Sequence, residues 1–216
     1  MNEIVRALER DPRKRYRIPV PPKQIIAAIL VAALPVACSG PPSGPSRPPL
    51  EGARIGGPFA LVDQDGKAVT DRSYAGRYRI MYFGYTFCPD VCPVDVQNIG
   101  AAMRALDSSD PAMAAQIVPI FVSVDPDRDK PPIVKEFVHA FYPRMVGLTG
   151  SPEAIARIAK EYAVYYQKGD VTPGGGYMVA HARVTYLMDP QGKPVALLPQ
   201  DQAPDRIAAE IRRWVK

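Results

Sequence analysis

The sequence lacks an apolar run long enough for a membrane-spanning helix near its amino terminus. The uncharged apolar run there covers residues 25–37, whereas a helix that spans a bilayer needs roughly 20 residues. A short apolar run after a basic segment is typical of a signal-peptide core. We therefore expect residues 1–37 to be a leader that directs export and takes no part in the fold.

An excess of basic residues is also missing outside that leader. The leader holds 7 Lys and Arg against 3 Asp and Glu, and the rest of the chain holds 20 against 19. Nucleic-acid binding proteins need a basic patch on the folded part, and none is visible here. No internal repeat is present either. We therefore expect one folded domain, residues 55–216, that does not bind nucleic acid.

Cysteine is scarce, with three residues in 216, and the first of them follows the apolar run directly. The segment 34–40, which contains Cys38, resembles a bacterial lipoprotein processing site, and Cys38 would then carry the lipid. Pro35 stands where that motif usually has an aliphatic residue, so processing elsewhere or an uncleaved anchor are the alternatives. Residues 38–54 are rich in Pro, Gly and Ser and predict an extended tether. We expect a lipid-anchored protein on the periplasmic side of a bacterial membrane.

The other two cysteines lie where a predicted strand turns into a predicted helix. Residues 78–85 form a short aromatic and apolar run, and residues 93–107 carry apolar residues at helical spacing. If Cys92 lies in the first helical turn, the four positions between it and Cys88 correspond to a rotation of about 400° around the helix axis and a rise of about 6 Å. Both sulfurs can then face one side. They could chelate a metal or form a disulfide. A permanent structural disulfide and two inert buried thiols are the alternatives.

The remaining pattern predicts an α/β sandwich around a mixed sheet with a hairpin at each end. Residues 59–69 predict a hairpin around an Asp-Gly turn. Further strands are predicted at 120–124, just after Pro119, and at 145–148, 179–188 and 194–198. Helices are predicted to begin at 131, with Ile133, Phe137 and Phe141 on one face, at 152 after the Ser151 cap, and near the carboxyl terminus, with Ile207, Ile211 and Trp214 inward. Sites in such sheets form at the carboxyl ends of the central strands, where the cysteine pair lies.

Only two histidines are present. His139 lies within the helix predicted from residue 131 and is expected to be an exposed or packed structural residue. His181 lies where a glycine-rich segment enters a strand that we expect beside the cysteine-bearing strand. Its spacing alone leaves a capping role and a ligand role equally open.

Three segments together resemble the Sco/SenC family in order and spacing: residues 84–93, residues 122–129 and residues 177–190. The likeness extends from residue 55 onward. It implies a thioredoxin-like α/β fold with an amino-terminal hairpin, and it matches Cys88, Cys92 and His181 to the copper ligands of the family. Members bind Cu(I) or Cu(II). They deliver copper to the dinuclear site of cytochrome c oxidase, or keep the cysteines of that site reduced.

The resemblance therefore implies a copper metallochaperone of the cell envelope. Its expected partners are the copper-bearing subunit of cytochrome c oxidase or another copper carrier, a thiol reductant, and the membrane through the lipid anchor. Two thiolates and one imidazole suit Cu(I), whereas zinc ordinarily takes four ligands. The alternative function is a thiol-disulfide reductase in which Cys88 and Cys92 are the redox-active catalytic thiols. His181 distinguishes the two functions, because only the carrier needs it.

Several other residues are expected to be structural. Asp125, Asp127 and Asp129 alternate like ligands of a hard metal, but without a complete calcium loop they predict a turn and a helix cap. Met178 and Met188 could be soft-metal ligands, but scattered methionines more often fill the core, and we expect that role for both. Ala180 stands where the family commonly has Asp beside the histidine, so the tuning of the site is expected to differ from that of the family.

Overall fold

A seven-stranded mixed sheet organises residues 47–216, which are the residues that the computed structural model describes. The predicted leader 1–37, the predicted lipidation site Cys38 and the first part of the predicted tether lie outside the described residues. Within residues 47–216, no helix combines the length and the apolar character that crossing a membrane requires.

The strands are β1 (Ala60–Asp63), β2 (Ala68–Thr70), β3 (Tyr78–Gly84), β4 (Ile117–Ser123), β5 (Val146–Thr149), β6 (Tyr166–Lys168), β7 (Val179–His181), β8 (Thr185–Met188) and β9 (Pro194–Leu197). The main sheet has the order β2-β1-β5-β4-β3-β8-β9, and β6 pairs with β7 in a separate two-stranded sheet. The central strands β3, β4 and β5 are parallel, whereas β1 and β8 join them antiparallel. The mixed sheet with hairpins at both ends is as predicted.

The helices are α1 (Val91–Ser109), α2 (Pro111–Ala115), α3 (Pro131–Phe141), α4 (Pro152–Glu161) and α5 (Pro204–Trp214), and a short 3-10 helix covers Asp71–Tyr74. The longest of them, α1, packs beside α5. The hydroxyl of Ser151 accepts a hydrogen bond from the Ala154 N–H, which confirms the predicted cap of α4. The inward side chains of α5 are those predicted, since Ile207, Ile211 and Trp214 are buried.

The amino-terminal hairpin forms as predicted, because a side chain in its turn accepts hydrogen bonds from the backbone N–H groups of the turn. The Asp63 carboxylate accepts hydrogen bonds from the N–H groups of Asp65 and Lys67. Gly66 adopts a left-handed φ of 79°, which favours glycine because other residues carry a Cβ. Strands β1 and β2 therefore pair antiparallel across the turn.

The strand predicted after Pro119 begins two residues before it. β4 starts at Ile117, and Pro119 lies inside it, paired with Ile80 of β3. Proline has no N–H to donate and is normally confined to sheet edges. The ladder between β4 and β5 begins only at Ile120, so at Pro119 the strand has no partner on the β5 side. A buried central strand can therefore contain this proline.

The single strand predicted over residues 179–188 is in fact two strands in two different sheets. His181 ends β7 and pairs with Tyr166 of β6, and does not lie in the strand beside β3. The neighbour of β3 is β8, which begins at Thr185. The break has a physical cause: every residue of β8 is buried, and Arg183 has to leave that buried run to reach a carboxylate.

The inward face of α3 differs from the prediction. Val134 and Val138 are fully buried, whereas Ile133 is 39% exposed and Phe137 is only partly buried. The helix approaches the sheet at Gly147, where an added Cβ would lie 2.3 Å from a methyl carbon of Val134. This close approach leaves room for valine between helix and sheet, so the larger side chains lie at the margin of the core.

Candidate metal centre

Cys88 and Cys92 lie at the carboxyl end of β3, where the sequence predicts the site. The chain leaves the sheet at Gly84, turns, and enters α1 at Val91. Both cysteines are free thiols in the described part of the chain. Cys92 is completely buried, and Cys88 retains 9% of its accessible surface. The two thiols lie close enough for each to influence the pKa of the other, which agrees with the expectation that both face one side.

Gly84 allows Cys92 to approach the sheet. A Cβ added at Gly84 would lie 3.0 Å from the Cys92 sulfur and 2.8 Å from a ring carbon of Tyr82. Both values are shorter than ordinary van der Waals contacts. A glycine at the end of the strand is therefore needed for the buried thiol to occupy its place.

His181 contacts Cys92 across 89 residues of sequence. Its Nε2 lies 3.2 Å from the Cys92 sulfur, and its Nδ1 lies 3.2 Å from the carbonyl oxygen of Ala182. A carbonyl oxygen can only accept, so Nδ1 carries the proton and Nε2 presents its lone pair to the sulfur. Burial lowers the pKa of His181, which favours this neutral imidazole. The structure thus brings His181 to Cys92, one of the two thiols expected to bind metal with it.

The orientation of the imidazole does not depend on a carboxylate at position 180. Side chains alternate along a strand, and in β7 Val179 is buried, Ala180 is exposed and His181 is partly buried. A carboxylate at position 180 would thus face solvent. The ring is instead fixed by the Ala182 carbonyl, the kind of second partner that metal-binding histidines commonly have.

The two thiols differ in acidity. Burial would raise the pKa of the Cys88 thiol, but hydrogen bonds from the backbone N–H groups of Cys92, Asp90 and Val91 outweigh burial and lower the pKa. Burial raises the pKa of the Cys92 thiol to about 12, and hydrogen bonds from the Tyr85 backbone and the Tyr82 hydroxyl oppose it only in part. Cys88 is therefore the more reactive thiol, and Cys92 is held protonated.

A chain of polar side chains extends from Cys92 to Arg183. The Tyr82 hydroxyl interacts with the Cys92 thiol and donates to Asp95 Oδ2 at 3.1 Å. Asp95 is fully buried, and Arg183 binds both of its oxygens, with Nε at 2.7 Å and Nη2 at 2.5 Å. This pair joins α1, which carries Cys92, to the segment that follows His181.

A second set of polar contacts holds the turn that precedes Cys88. Asp129 is fully buried and accepts hydrogen bonds from the Thr86 N–H at 3.0 Å, the Thr86 hydroxyl at 2.6 Å and the Ser123 hydroxyl at 2.5 Å. Asp125 binds Arg128 and the Tyr177 hydroxyl, and Asp127 binds Lys168. These aspartates form a turn as predicted. The predicted helix cap is wrong, because no side chain caps α3.

The comparison with known proteins assigns the family. The SCO1/SenC family model matches residues 47–216. The chain belongs to the SCO1/SenC family. Protein SenC of Rhodobacter capsulatus is 39% identical over 162 residues, which cover 74% of this chain and 70% of SenC. Protein SCO1 homolog 1, mitochondrial, of Arabidopsis thaliana is 40% identical over 168 residues, covering 76% of this chain and 49% of that protein. This chain therefore spans only about half the length of the Arabidopsis relative.

Solved structures give the same assignment and confirm the predicted fold class. Bradyrhizobium japonicum ScoI, solved with copper bound, is 41% identical with a TM-score of 0.67 and covers 74% of this chain and 99% of its own. BsSco, described as a member of the Sco family of cytochrome c oxidase assembly proteins with a disulfide switch, is 27% identical with a TM-score of 0.56, covering 73% and 91%. The thioredoxin domain of a Bacteroides vulgatus thiol-disulfide oxidoreductase shares the fold at 15% identity, with a TM-score of 0.52 and coverage of 75% and 96%.

Sequence reasoning about this SCO1/SenC domain overlooked Tyr82 and Asp95. Asp95 follows Cys92 by three positions and shares the buried face of α1 with Val96 and Ile99. The sequence does contain a sign of this role, because Asp95 is a carboxylate on an otherwise apolar helix face and a buried charge needs a partner. His139, in contrast, is exposed on α3, as the sequence predicts.

In this structure the two thiols and the imidazole of the SCO1/SenC domain are not all arranged around one common point, so they form only part of a metal site. Within residues 47–216, no three His, Cys, Asp or Glu side chains form a complete metal-binding group. Cys92 contacts His181, whereas Cys88 interacts with Cys92 and with the Tyr85 hydroxyl. Two thiols and a neutral imidazole are nevertheless the donor types that suit copper. The same pair of thiols can also form a disulfide.

Proposed function

We propose that this chain is a copper metallochaperone that assists assembly of the copper site of cytochrome c oxidase, and that Cys88, Cys92 and His181 bind the metal. The observation that carries the proposal is the 3.2 Å contact between the Cys92 sulfur and the unprotonated Nε2 of His181. A soft donor and a borderline donor from distant parts of the chain meet in one partly buried place. The copper-bound Bradyrhizobium relative and the Sco relative described as an oxidase assembly protein support the assignment.

The cargo fits the donors that the fold supplies. Two thiolates and one imidazole favour Cu(I), while Cu(II) would seek a further oxygen or water ligand. Binding by all three residues requires Cys88 to turn from the Tyr85 hydroxyl toward the imidazole and both thiols to lose their protons. A three-ligand site remains open to a thiolate of the acceptor, which can add before one of the donor thiolates leaves.

The second candidate function is thiol-disulfide reduction, which the difference between the two thiols favours. Cys88 has the lowered pKa and the residual exposure expected of an attacking thiol. Cys92 is buried, with its pKa raised to about 12, as expected of a thiol that resolves the mixed disulfide later. The targets would be the cysteines of the oxidase copper site.

The location and the remaining partners are part of the same proposal. Export by the leader and lipidation of Cys38 would hold the domain on the periplasmic side of the membrane. A family member from Bacillus anthracis, 25% identical, is described as a lipoprotein, which supports this arrangement. A thiol reductant is required as well, because a disulfide between Cys88 and Cys92 would remove both sulfur donors.

A copper titration of the reduced domain tests the carrier proposal. The Bradyrhizobium structure consists almost entirely of the matched region, so we expect residues 47–216 to fold without the preceding segment. Cu(I) is added without oxygen, in competition with a coloured chelator, and Cu(II) in a parallel series. We expect one copper per chain, lost in Cys88→Ser, Cys92→Ser and His181→Ala and retained in His139→Ala, the exposed control. Undiminished binding in His181→Ala would contradict the carrier and leave the reductase.

A further inference from the structure

Met178 is the methionine that the core does not use. Its side chain is 54% exposed, contrary to the expectation that it fills the core. Among the described residues, the other methionines are partly or fully buried: Met81, Met103, Met113, Met145 and Met188. The Met178 side chain therefore contributes little to the core and is accessible from solvent.

The backbone on both sides of Met178 is held firmly. Arg128 Nη1 donates to the Tyr177 carbonyl at 3.0 Å, and its guanidinium lies 3.7 Å from the centre of the Tyr177 ring. The Tyr177 hydroxyl donates to Asp125 at 2.7 Å, and the Met178 carbonyl accepts from the Gly169 N–H at 2.8 Å. The exposed side chain therefore projects from a fixed point of the fold.

That fixed point lies at the rim of the thiol site. The Tyr85 hydroxyl donates to the Met178 sulfur at 3.8 Å and also interacts with the Cys88 thiol. The Tyr85 ring meets the His181 ring edge to face, with 5.8 Å between ring centres. The exposed Met178 side chain thus contacts, through its sulfur, a hydroxyl that also interacts with the buried Cys88 thiol.

We propose that the Met178 thioether is a soft-metal donor at the rim, which takes Cu(I) on its way into and out of the Cys88, Cys92 and His181 site. The proposal rests on the proposed copper-carrier function and extends it. A thioether binds Cu(I) in preference to harder ions. It has no proton to lose and cannot form a disulfide, so it can accept Cu(I) before the thiols are deprotonated.

The transfer is an exchange of ligands without a change of oxidation state. The bond between Cu(I) and the Met178 sulfur forms as a bond to the incoming carrier breaks. The bond between Cu(I) and the Cys88 sulfur then forms as the thioether leaves, and the proton of the thiol passes to solvent. The copper stays Cu(I) throughout, so no oxidant or reductant takes part.

The first test measures the rate at which the reduced domain, residues 47–216, takes Cu(I) from its bicinchoninate complex. We expect Met178→Leu to slow loading roughly fivefold, equivalent to about 1 kcal/mol of transition-state stabilisation, while the amount of copper finally bound stays the same. Met113→Leu, at the half-buried methionine of α2, is the matched control and should load like the wild type. Equal rates for Met178→Leu and the wild type would overturn the proposal.

The second test does not depend on the thiol site. Methionine methyl groups are labelled with carbon-13, and Ag(I), a soft ion that does not change oxidation state, is added to the Cys88→Ser, Cys92→Ser double variant. We expect the Met178 methyl signal to shift first, while the Met113 signal stays in place. A Met178 signal that never moves, or moves no earlier than that of Met113, would overturn the rim donor. If the wild type took up no Cu(I) at all, the copper-carrier function would fail instead, and the Ag(I) result would still decide the role of Met178.

Discussion

At the residue scale, the two thiols of the site are in opposite electrostatic situations although only three residues separate them. Cys88 precedes α1 and receives hydrogen bonds from backbone N–H groups that the helix leaves free. Cys92 lies inside the first turn, packed against Gly84 and fully buried. The start of α1 therefore stabilises the Cys88 thiolate, whereas burial disfavours the Cys92 thiolate.

This difference predicts the order of alkylation. In the reduced apo domain, iodoacetamide should modify Cys88 at mildly alkaline pH, whereas Cys92 should react only as the pH approaches its raised pKa of about 12 or as the protein unfolds. At pH 8 we expect Cys88 to react roughly a hundred times faster, because both thiolate fraction and access favour it. Peptide mass spectrometry at timed intervals measures both rates. Equal rates in the folded protein, with unfolding in urea as the reference, would contradict the assignment.

At the element scale, the site depends on how α1 is fixed to the segment between β7 and β8. Asp95 on α1 and Arg183 on that segment form a two-bonded ion pair, and the Gln200 amide donates to the Arg183 carbonyl at 3.1 Å. The pair has one fully buried partner and one partner that is 37% exposed. The pair therefore joins α1, which carries Cys92, to the segment that directly follows His181.

We expect Arg183→Met to destabilise the domain by about 2 kcal/mol, because it leaves the buried Asp95 carboxylate without its cation. This is less than for a fully buried pair, since Arg183 is partly solvated. The Asp95→Asn, Arg183→Met double variant should recover part of the loss. Lys135→Met removes the exposed pair with Asp65 and should leave the free energy of unfolding almost unchanged. Urea unfolding of the wild type and these three variants gives the free energies, and an Arg183→Met variant as stable as Lys135→Met would show that the Asp95–Arg183 pair does not hold the two elements together.

The predicted elements succeeded where local pattern decides structure and failed where distant contacts do. The spacing of apolar residues and the turn residues predict β3, α1 and the hairpin of β1 and β2. The sheet of β6 and β7 has strands of three residues, too short for a pattern to show. The break before β8 depends on an arginine that finds a carboxylate 88 residues away. The cysteine pair could be located from sequence, but its contact with His181 required the fold.

At the scale of the whole molecule, the domain begins before its first strand. The Leu50 N–H donates to the Val195 carbonyl of β9 at 3.1 Å, and the Gly56 N–H donates to the Glu161 carbonyl at the end of α4 at 2.8 Å. Leu50 and Ile55 also pack against the core while remaining partly exposed. The segment before β1 thus forms hydrogen bonds with two separate elements, β9 and α4.

We expect a domain shortened to residues 58–216 to unfold more easily than residues 47–216, by about 2 kcal/mol. Two hydrogen bonds of about 1 kcal/mol each are lost, together with partial burial of two apolar side chains. Thermal unfolding followed by circular dichroism gives the comparison. A form that begins at residue 49 retains both bonds and serves as the control. Equal melting temperatures for all three would show that the segment before β1 adds nothing to stability.

Because β6 and β7 form a separate sheet, His181 can move without disrupting the main sheet, whereas the two cysteines cannot. His181 is carried by a ribbon of three residue pairs, whereas the thiols follow a strand whose seven residues all pair with β4. Peeling the ribbon away would withdraw the imidazole and leave every ladder of the main sheet intact. Different hydrogen bonds therefore determine the affinity for a bound metal and the stability of the main sheet. Substitutions in the two-stranded sheet can change that affinity without destabilising the fold.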